Sequence, residues 1–517
     1  MPEYLTPGVY VEEFEIGAKP IEGVSTSTAG FLGITERGPT SPRLVTNWLQ
    51  FQRMYGSYIA GSYLPYAVDG FFMNGGQRCF IGRVAANDAE KASLKLTSAG
   101  TNALTLDAIG EGEWGKRIVV KVGTGTDSTA AKPLFKLSVF YWKDQLPSTL
   151  FDPETNKKSK PQPAQIEFYD NLSMDNASPD HYDKKINGIS SLITISSQTG
   201  DSGTLPDGPA VVTPLGGTDL DGTALGIDDY LRDSPADNIP GSRKGLTAFK
   251  EIDEISIVYS PDANSVTGLV PALISHCEEL KDRFAVIDAD DGSSNVSNIK
   301  PRDNFDTKYA AFYYPWIKVI DPLTNKGKLI PPGGHMAGIY ARSDVERGVH
   351  KAPANEVVRG AMDLEFQITK GEQGILNPRG VNVIRAFPGR GIRIWGARTL
   401  SSDALWKYIN VRRLFIFVEE SIEEGTQWVV FEPNDEKLWA RVRATITQFL
   451  TRVWRDGALM GTKPEEAFFV KCDRTTMTQD DIDNGRLICI IGIAPVKPAE
   501  FVIFRIAQWA GGSSATE

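Results

Sequence analysis

Ile255-Ser-Ile-Val-Tyr259, an apolar helical run from Leu269 to Arg283, and Phe284-Ala-Val-Ile-Asp288 follow one another without a long loop. The two outer runs are short, β-branched and apolar, as strands buried on both faces are; between them Leu273, His276, Cys277 and Leu280 fall at helical spacing. This is a β-α-β unit, whose two strands must pair in parallel because the crossover returns the chain to the same end. Ala311-Phe-Tyr-Tyr-Pro-Trp-Ile-Lys-Val319 predicts a further strand. After Ile330-Pro-Pro-Gly-Gly334, the run from His335 to Arg342 predicts a helix with Gly334 near its N-terminus. The fold class expected is α/β with a doubly wound middle domain.

Working toward the N-terminus, Ala29-Gly-Phe-Leu-Gly-Ile34 predicts a buried strand before the turn Glu36-Arg-Gly-Pro39. Short helices at Trp48 to Tyr55 and Ala67 to Met73 and a strand at Cys79 to Val84 continue the same layer. Between the two parts, residues 85–245 turn rich in Ser, Thr, Gly, Asp and Pro. Their β-like pieces are Ile118 to Val122, Phe135 to Trp142 and Ile166 to Tyr169, and the loops at 157–163 and 201–208 are polar. The middle domain is therefore expected at 25–84 and 246–355, interrupted by an inserted β-rich outer domain at 85–245.

Toward the C-terminus, residues 356–499 predict an α+β domain. Strands are expected at Val383 to Ala386, Ile392 to Trp395 and Leu414-Phe-Ile-Phe-Val418, with a helix from Ser402 to Arg412. In Phe431-Glu-Pro-Asn434, Pro433 ends a strand and Asn434 caps a long helix, whose first turn holds Asp435 and Glu436. Leu438, Val442, Ile446, Phe449, Leu450 and Val453 make its apolar face; Arg441, Gln448, Arg452 and Arg455 make the opposite stripe, either a solvated face or a dock for an acidic partner. Two segments read as arms. One is 1–24, with a short strand from Val9 to Ile16; the other is 500–517, in which Phe501, Ile503, Arg505 on one side and Val502, Phe504, Ile506 on the other leave no polar face. Such a strand is buried in its own sheet or given to a neighbour's.

With 517 residues, 41% hydrophobic and 23% charged, the chain has the composition of a soluble protein of roughly two to four domains. No apolar run approaches a membrane span of about 20 residues, and the first residues carry no secretory pattern, so cytoplasmic synthesis and no membrane insertion are expected. The 55 basic against 65 acidic residues argue against a nucleic-acid surface. Cys79, Cys277, Cys472 and Cys489 lack the spacing of a zinc site and read as buried thiols.

Motifs of catalysis are missing: no phosphate loop, His-Glu-x-x-His or nucleophile elbow occurs. Gly389-Arg-Gly-Ile-Arg-Ile-Trp-Gly396 has Ile394 where a dinucleotide loop needs its third glycine, and reads as a turn. Asp288-Ala-Asp-Asp-Gly292 is a strand-end carboxylate group that a metal-dependent α/β enzyme would use, though a calcium loop's spacing fails. His276 and Cys277 diverge by about 100° on a helix and cannot act as a nucleophile–base pair. Glu419 to Glu424 reads as a solvated acidic surface, with Ser421 able to cap a short helix. No cofactor is expected.

Thr6-Pro-Gly-Val-Tyr-Val-Glu-Glu13, Gly30-Phe-Leu-Gly-Ile-Thr-Glu-Arg-Gly-Pro39, Pro331-Pro-Gly-Gly-His-Met-Ala-Gly-Ile-Tyr-Ala-Arg342 with Glu346-Arg-Gly348, Trp428-Val-Val-Phe-Glu-Pro-Asn434, and Gly485-Arg-Leu-Ile-Cys-Ile-Ile-Gly-Ile-Ala-Pro495 with Pro498-Ala-Glu-Phe501 resemble contractile tail sheath proteins. The resemblance covers both ends and the middle but not 85–245, where sheath proteins carry differing outer domains. It implies a structural protein without catalysis, polymerised as a helical sleeve around an inner tube, with baseplate and terminal cap proteins as further partners. It implies assembly in a bacterial cytoplasm and a final phage tail or released phage tail-like particle. Val9, Tyr10, Val11 and Phe14, and Phe501, Val502, Ile503, Phe504 and Ile506, would be arm strands completing a neighbour's C-terminal sheet. Arg441, Arg452 and Arg455 would face the tube, and Pro20, Gly23, Pro495 and Pro498 would sit at the hinges. A capsid or tube protein fits less well, because those chains are usually shorter and lack two arms.

Overall fold

A computed structural model describes residues 20–98, 101–197, 205–207 and 212–506. The chain divides into two compact units, residues 25–413 and residues 1–24 with 414–517.

The larger unit is built on eight strands: β1 (Ala29–Gly33), β2 (Arg43–Val45), β3 (Cys79–Arg83), β4 (Ile257–Tyr259), β5 (Phe284–Asp288), β6 (Ala310–Tyr314), β7 (Val381–Phe387) and β8 (Gly391–Ile394). They lie in the order β8-β7-β6-β5-β4-β1-β3-β2. Every pairing from β7 through to β3 is parallel, and only the edge strands β8 and β2 run antiparallel. The chain builds outward from β1 first toward β3 and later toward β4, which is the doubly wound topology expected from the β-α-β unit. All five residues of β1 and of β5 are buried, as a parallel sheet covered on both faces requires. Phe31 meets the Phe71 ring edge-on at 5.3 Å, while its neighbour Gly30 leaves room for Phe249.

Helices Leu64–Met73 and Gly333–Arg347 pack against each other closely enough that a Cβ on Gly334 would lie 2.4 Å from the Ala67 Cα and one on Gly338 2.4 Å from the Phe71 carbonyl oxygen. Two glycines of the 331–342 motif are thus explained by helix contact, while the third, Gly333, gives way to the Tyr259 ring of β4, which a Cβ there would approach to 2.1 Å. His335, in the same motif, is buried, and desolvation lowers its pKa to about 4. His276 and Cys277 are core residues of helix Leu269–Leu280, as read from their spacing.

The segment from 85 to 245 holds a four-stranded sheet, in the order Thr213–Pro214, Ile118–Thr124, Phe135–Tyr141, Gln165–Leu172, and a three-stranded one of Ser93–Ser98, Thr101–Ala108 and Ile193–Ser197. Their inward residues, among them Leu104, Leu106, Val120, Leu137 and Ile195, share one core.

Several sequence expectations are corrected. Residues 356–413, expected with the C-terminal domain, lie with the larger unit, because β7 hydrogen-bonds to β6. The expected strand through Val319 breaks at Pro315 into β6 and a separate strand Ile317–Asp321 of a three-stranded sheet. Leu414 to Val418 is helical, within Ile409–Gly425, and the expected helix from 402 to 412 begins only at Ile409. Leu414, Ile416 and Val418 are all buried and so show no helical stripe, leaving a run that periodicity cannot tell from a strand. The strand expected before Pro433 is a 3-10 turn, Gln427–Val429. The cap of the long helix is Asp435, which accepts from the Leu438 N–H at 2.8 Å; Asn434 instead accepts from the Trp439 indole N–H at 2.8 Å.

Candidate assembly surfaces

The smaller unit is organised by helix Glu436–Arg455. Leu438, Trp439, Val442, Ile446, Phe449, Leu450 and Val453 are buried on one face, the stripe expected from the sequence with Trp439 added. On the opposite face, Arg441, Gln448, Arg452 and Arg455 are exposed together with Lys437. The three arginines are not equivalent. The Arg441 guanidinium stacks over the Trp428 ring at 4.5 Å and stands 3.8 Å from Glu432, so it is held against the preceding loop. Arg452 donates to the Ile21 carbonyl oxygen and thereby ties down the segment entering from the N-terminus. Arg455 stands exposed in the last turn.

That entering segment is packed. Ile21 is 1% exposed, the Gly23 position abuts the Phe417 ring, and the Val24 N–H donates to Ser421 Oγ at 3.1 Å. Ser421 therefore lies buried within a helix and caps nothing, and Glu419 to Glu424 form that helix's last turns. Val9, Tyr10, Val11 and Phe14 lie outside the described residues.

Strands Phe468–Lys471 and Ile490–Ile493 pair antiparallel as a sheet of only two strands among the described residues. The second strand, Ile-Ile-Gly-Ile, has no buried residue, and Phe469 is 57% exposed. Two strands alone are marginally stable in water, and an apolar pair with both edges open is an acceptor for more. Downstream, Pro495 bridges to Leu459, and the Val496 N–H bonds the Ala458 carbonyl, so the chain is held through Val496 and passes Pro498 before leaving. Phe501 to Ile506 then form no regular structure, with Phe501, Val502, Ile503, Phe504 and Ile506 each 67–94% exposed. Of the two fates open to this segment, burial in its own sheet is not the one observed.

The Asp288 to Asp291 carboxylates do not converge. Asp288 is buried and accepts from the Tyr259 hydroxyl at 2.6 Å, whereas Asp290 and Asp291 face outward. No group of three or more potential metal ligands gathers among the described residues. Gly389 and Gly391, with φ of 69° and 76°, shape the hairpin turn between β7 and β8. The geometry is that of a chain presenting sheet edges and a basic helix.

The model of the phage tail sheath protein central domain matches residues 231–400, and that of the phage tail sheath C-terminal domain matches 401–508, together more than half of the chain. The chain belongs to the phage tail sheath family. Its members are structural proteins, and this one is a tail sheath subunit. The tail sheath protein of Burkholderia phage BcepMu is 24% identical over 480 residues, 88% of each chain. A putative prophage major tail sheath protein of Pseudomonas aeruginosa is 24% identical over 283 residues, 52% of this chain and 71% of that one. Among solved structures, a chain of the anti-feeding prophage baseplate superposes with a TM-score of 0.57 at 25% identity, covering 98% of this sheath chain and 99% of its own. The sheath of the extracellular contractile injection system PVC, in its contracted state, shares the fold with a TM-score of 0.58 at 23% identity over 98% and 99% of the two chains. The metal-dependent enzyme that the Asp288 group allowed is thereby set aside.

Proposed function

We infer that this sheath subunit polymerises into a helical sleeve around an inner tube, each copy receiving on its two-stranded Phe468–Ile493 sheet the terminal arms of neighbouring copies. One observation carries the reading: in a chain of this family, the apolar Phe468–Ile493 sheet has only two strands among the described residues, while the apolar segment from Phe501 to Ile506 is largely exposed and forms no strand. Each fully buried Phe or Ile side chain contributes about 1.5–3 kcal/mol against the cost of ordering the arm. Donation from one copy to the next is heterologous and so propagates as an open helix rather than closing into a dimer.

The exposed Arg441 and Arg455, with Arg452 beside them, dock the sleeve on an acidic inner tube. Sheath copies assemble in the bacterial cytoplasm on a baseplate and finish at a terminal cap, and the particle acts as a phage tail or released tail-like machine. The subunit catalyses nothing; contraction draws on free energy stored in a metastable extended sleeve and released when the base is triggered. Gly23 and Pro495, expected at hinges, are held by packing and pairing within their own unit, so the chain beyond these anchors, near Pro20 and near Pro498, takes up the change of angle between copies, with the woven strands keeping the mesh intact.

Electron microscopy of the purified full chain at rising concentration tests this reading. Tubes or rods that lengthen with concentration are expected, and discrete particles of fixed size at every concentration would overturn it.

A further inference from the structure

The two-stranded sheet carries a second feature. Its register sets Lys471 opposite Ile490 and Val470 opposite Ile491, and one further step places Cys472 opposite Cys489. Burial alternates along the first strand: Phe468 and Cys472 are buried, while Phe469 and Lys471 are exposed. Cross-strand partners point to the same face of a sheet, so Cys489 shares the inner side with Cys472. The two thiols stand near enough to perturb each other's ionisation. Arg443, from the Glu436–Arg455 helix, donates to the Cys472 carbonyl oxygen, and its charge favours the thiolate form of both sulfurs. Neither cysteine is bonded in a disulfide; Cys472 is fully buried and Cys489 only partly. Cys79 and Cys277 are buried in the larger unit.

We propose that Cys472 and Cys489 are a latent cross-strand disulfide, a modification site that closes under oxidation and pins the open sheet in register. Directly opposed residues of an antiparallel pair have Cα atoms about 4.5–5.5 Å apart, inside the 4.4–6.8 Å span that a disulfide bridges. Glutathione disulfide serves as oxidant. The Cys489 thiolate, the more accessible, attacks one sulfur of glutathione disulfide; that S–S bond breaks and one glutathione thiolate leaves. The Cys472 thiolate then attacks the Cys489 sulfur of the mixed disulfide, forming the Cys472–Cys489 bond and expelling the second glutathione thiolate. The two protein thiols lose two electrons, the oxidant gains them, and the two protons end on the released glutathiones. Burial pushes both thiols up, Cys489 to about 12, so closure is slow at neutral pH and quickens as pH rises. The bond closes a ring over Asp473 to Ile488, including helix Gln479–Asp483, and so restricts the unfolded chain. On the sheath reading above, the pair stays reduced during cytoplasmic assembly and closes after release into an oxidising medium.

The test is thiol mapping on the full chain, folded and without denaturant, after incubation with glutathione disulfide at mildly alkaline pH. Free thiols are blocked, the protein is digested, and peptides are weighed. The expected product is a Cys472–Cys489 peptide pair lighter by two hydrogens, with Cys79 and Cys277 still thiols. A rise of a few degrees in the unfolding midpoint should accompany it, be reversed by dithiothreitol, and be absent from Cys489→Ser. Both cysteines recovered as thiols, Cys489 stalled as a glutathione adduct, or bonding to Cys79 or Cys277 would each overturn the proposal. Because mapping uses the unmutated chain and needs no polymer, failure to form rods would count against the sheath reading alone.

Discussion

Arg413 and Asp344 form a buried two-point ion pair, with N–H···O distances of 3.0 and 2.6 Å and side chains only 3% and 4% exposed. Thr26 joins both partners: its hydroxyl donates to Asp344 at 2.7 Å, and its carbonyl accepts from Arg413 at 2.7 Å. The Arg413 guanidinium also lies 4.8 Å over the Tyr340 ring. Thr26 and Arg413 are the second and the last residues of the larger unit. One carboxylate thus fixes both ends of its chain. Asp344→Asn should cost about 3–5 kcal/mol, because Arg413 is left as a buried charge without its counter-ion. Asp344→Leu with Arg413→Met should cost less than either single change. Calorimetric unfolding checks both; a single variant within about 1 kcal/mol of the parent would show that the pair is not energetically buried.

The Asp288 carboxyl is pushed up to about 7 by burial, with its bonds from the Tyr259 hydroxyl and the Gly333 N–H opposing the rise. Unfolded, it ionises near the ordinary value of about 3.9. Between these values the native state keeps a proton that the unfolded state has released. Its contribution to stability is therefore complete below about pH 4 and lost as pH rises through about 7. Asp288→Asn keeps an acceptor for Tyr259 and removes the titration. Its unfolding midpoint should fall less than the parent's across that window, leaving it the more stable protein at pH above about 7. Parallel curves for the two proteins would refute the assignment.

How much of this was legible in the sequence follows from how each residue is buried. β4, the helix after it and β5 were readable because the helix has a one-sided apolar face and the strands are uninterrupted apolar runs. The Glu436–Arg455 helix was readable for the same reason. Leu414 to Val418 was not, since burial on nearly every side erases the period that separates helix from strand. The boundary at 413 was hidden because a strand's partner is chosen by long-range pairing: nothing in Val381–Phe387 itself says that it joins Ala310–Tyr314. Arg452 was legible as a member of a stripe, but its bond to Ile21, 431 positions away in sequence, was not. The meeting of Cys472 with Cys489 depends on register, which spacing alone does not disclose.

The basic stripe can be dissected. Arg441→Glu with Arg455→Glu should reduce co-sedimentation of the sleeve with its tube by about tenfold or more, equivalent to about 1.4 kcal/mol, and high salt should weaken the unmutated pair in the same way. Arg452→Glu should in addition loosen the Ile21 anchor, seen as faster proteolysis of the N-terminal segment. Undiminished co-sedimentation of the double variant would remove this face from tube docking.

Deletion of Glu500 to Glu517 separates the two fates of the C-terminal segment. Phe501 to Ile506 join no sheet among the described residues and are largely exposed, so their loss should leave the unfolding midpoint of the monomer unchanged while abolishing polymerisation. A strand belonging to its own sheet would behave oppositely, because its removal would strip Phe469 and Ile490 of cover and lower the midpoint. Sedimentation and thermal circular dichroism on the same preparation read both quantities. Sleeves of normal length from the truncated chain would refute strand donation. Melting several degrees early would return the segment to its own subunit.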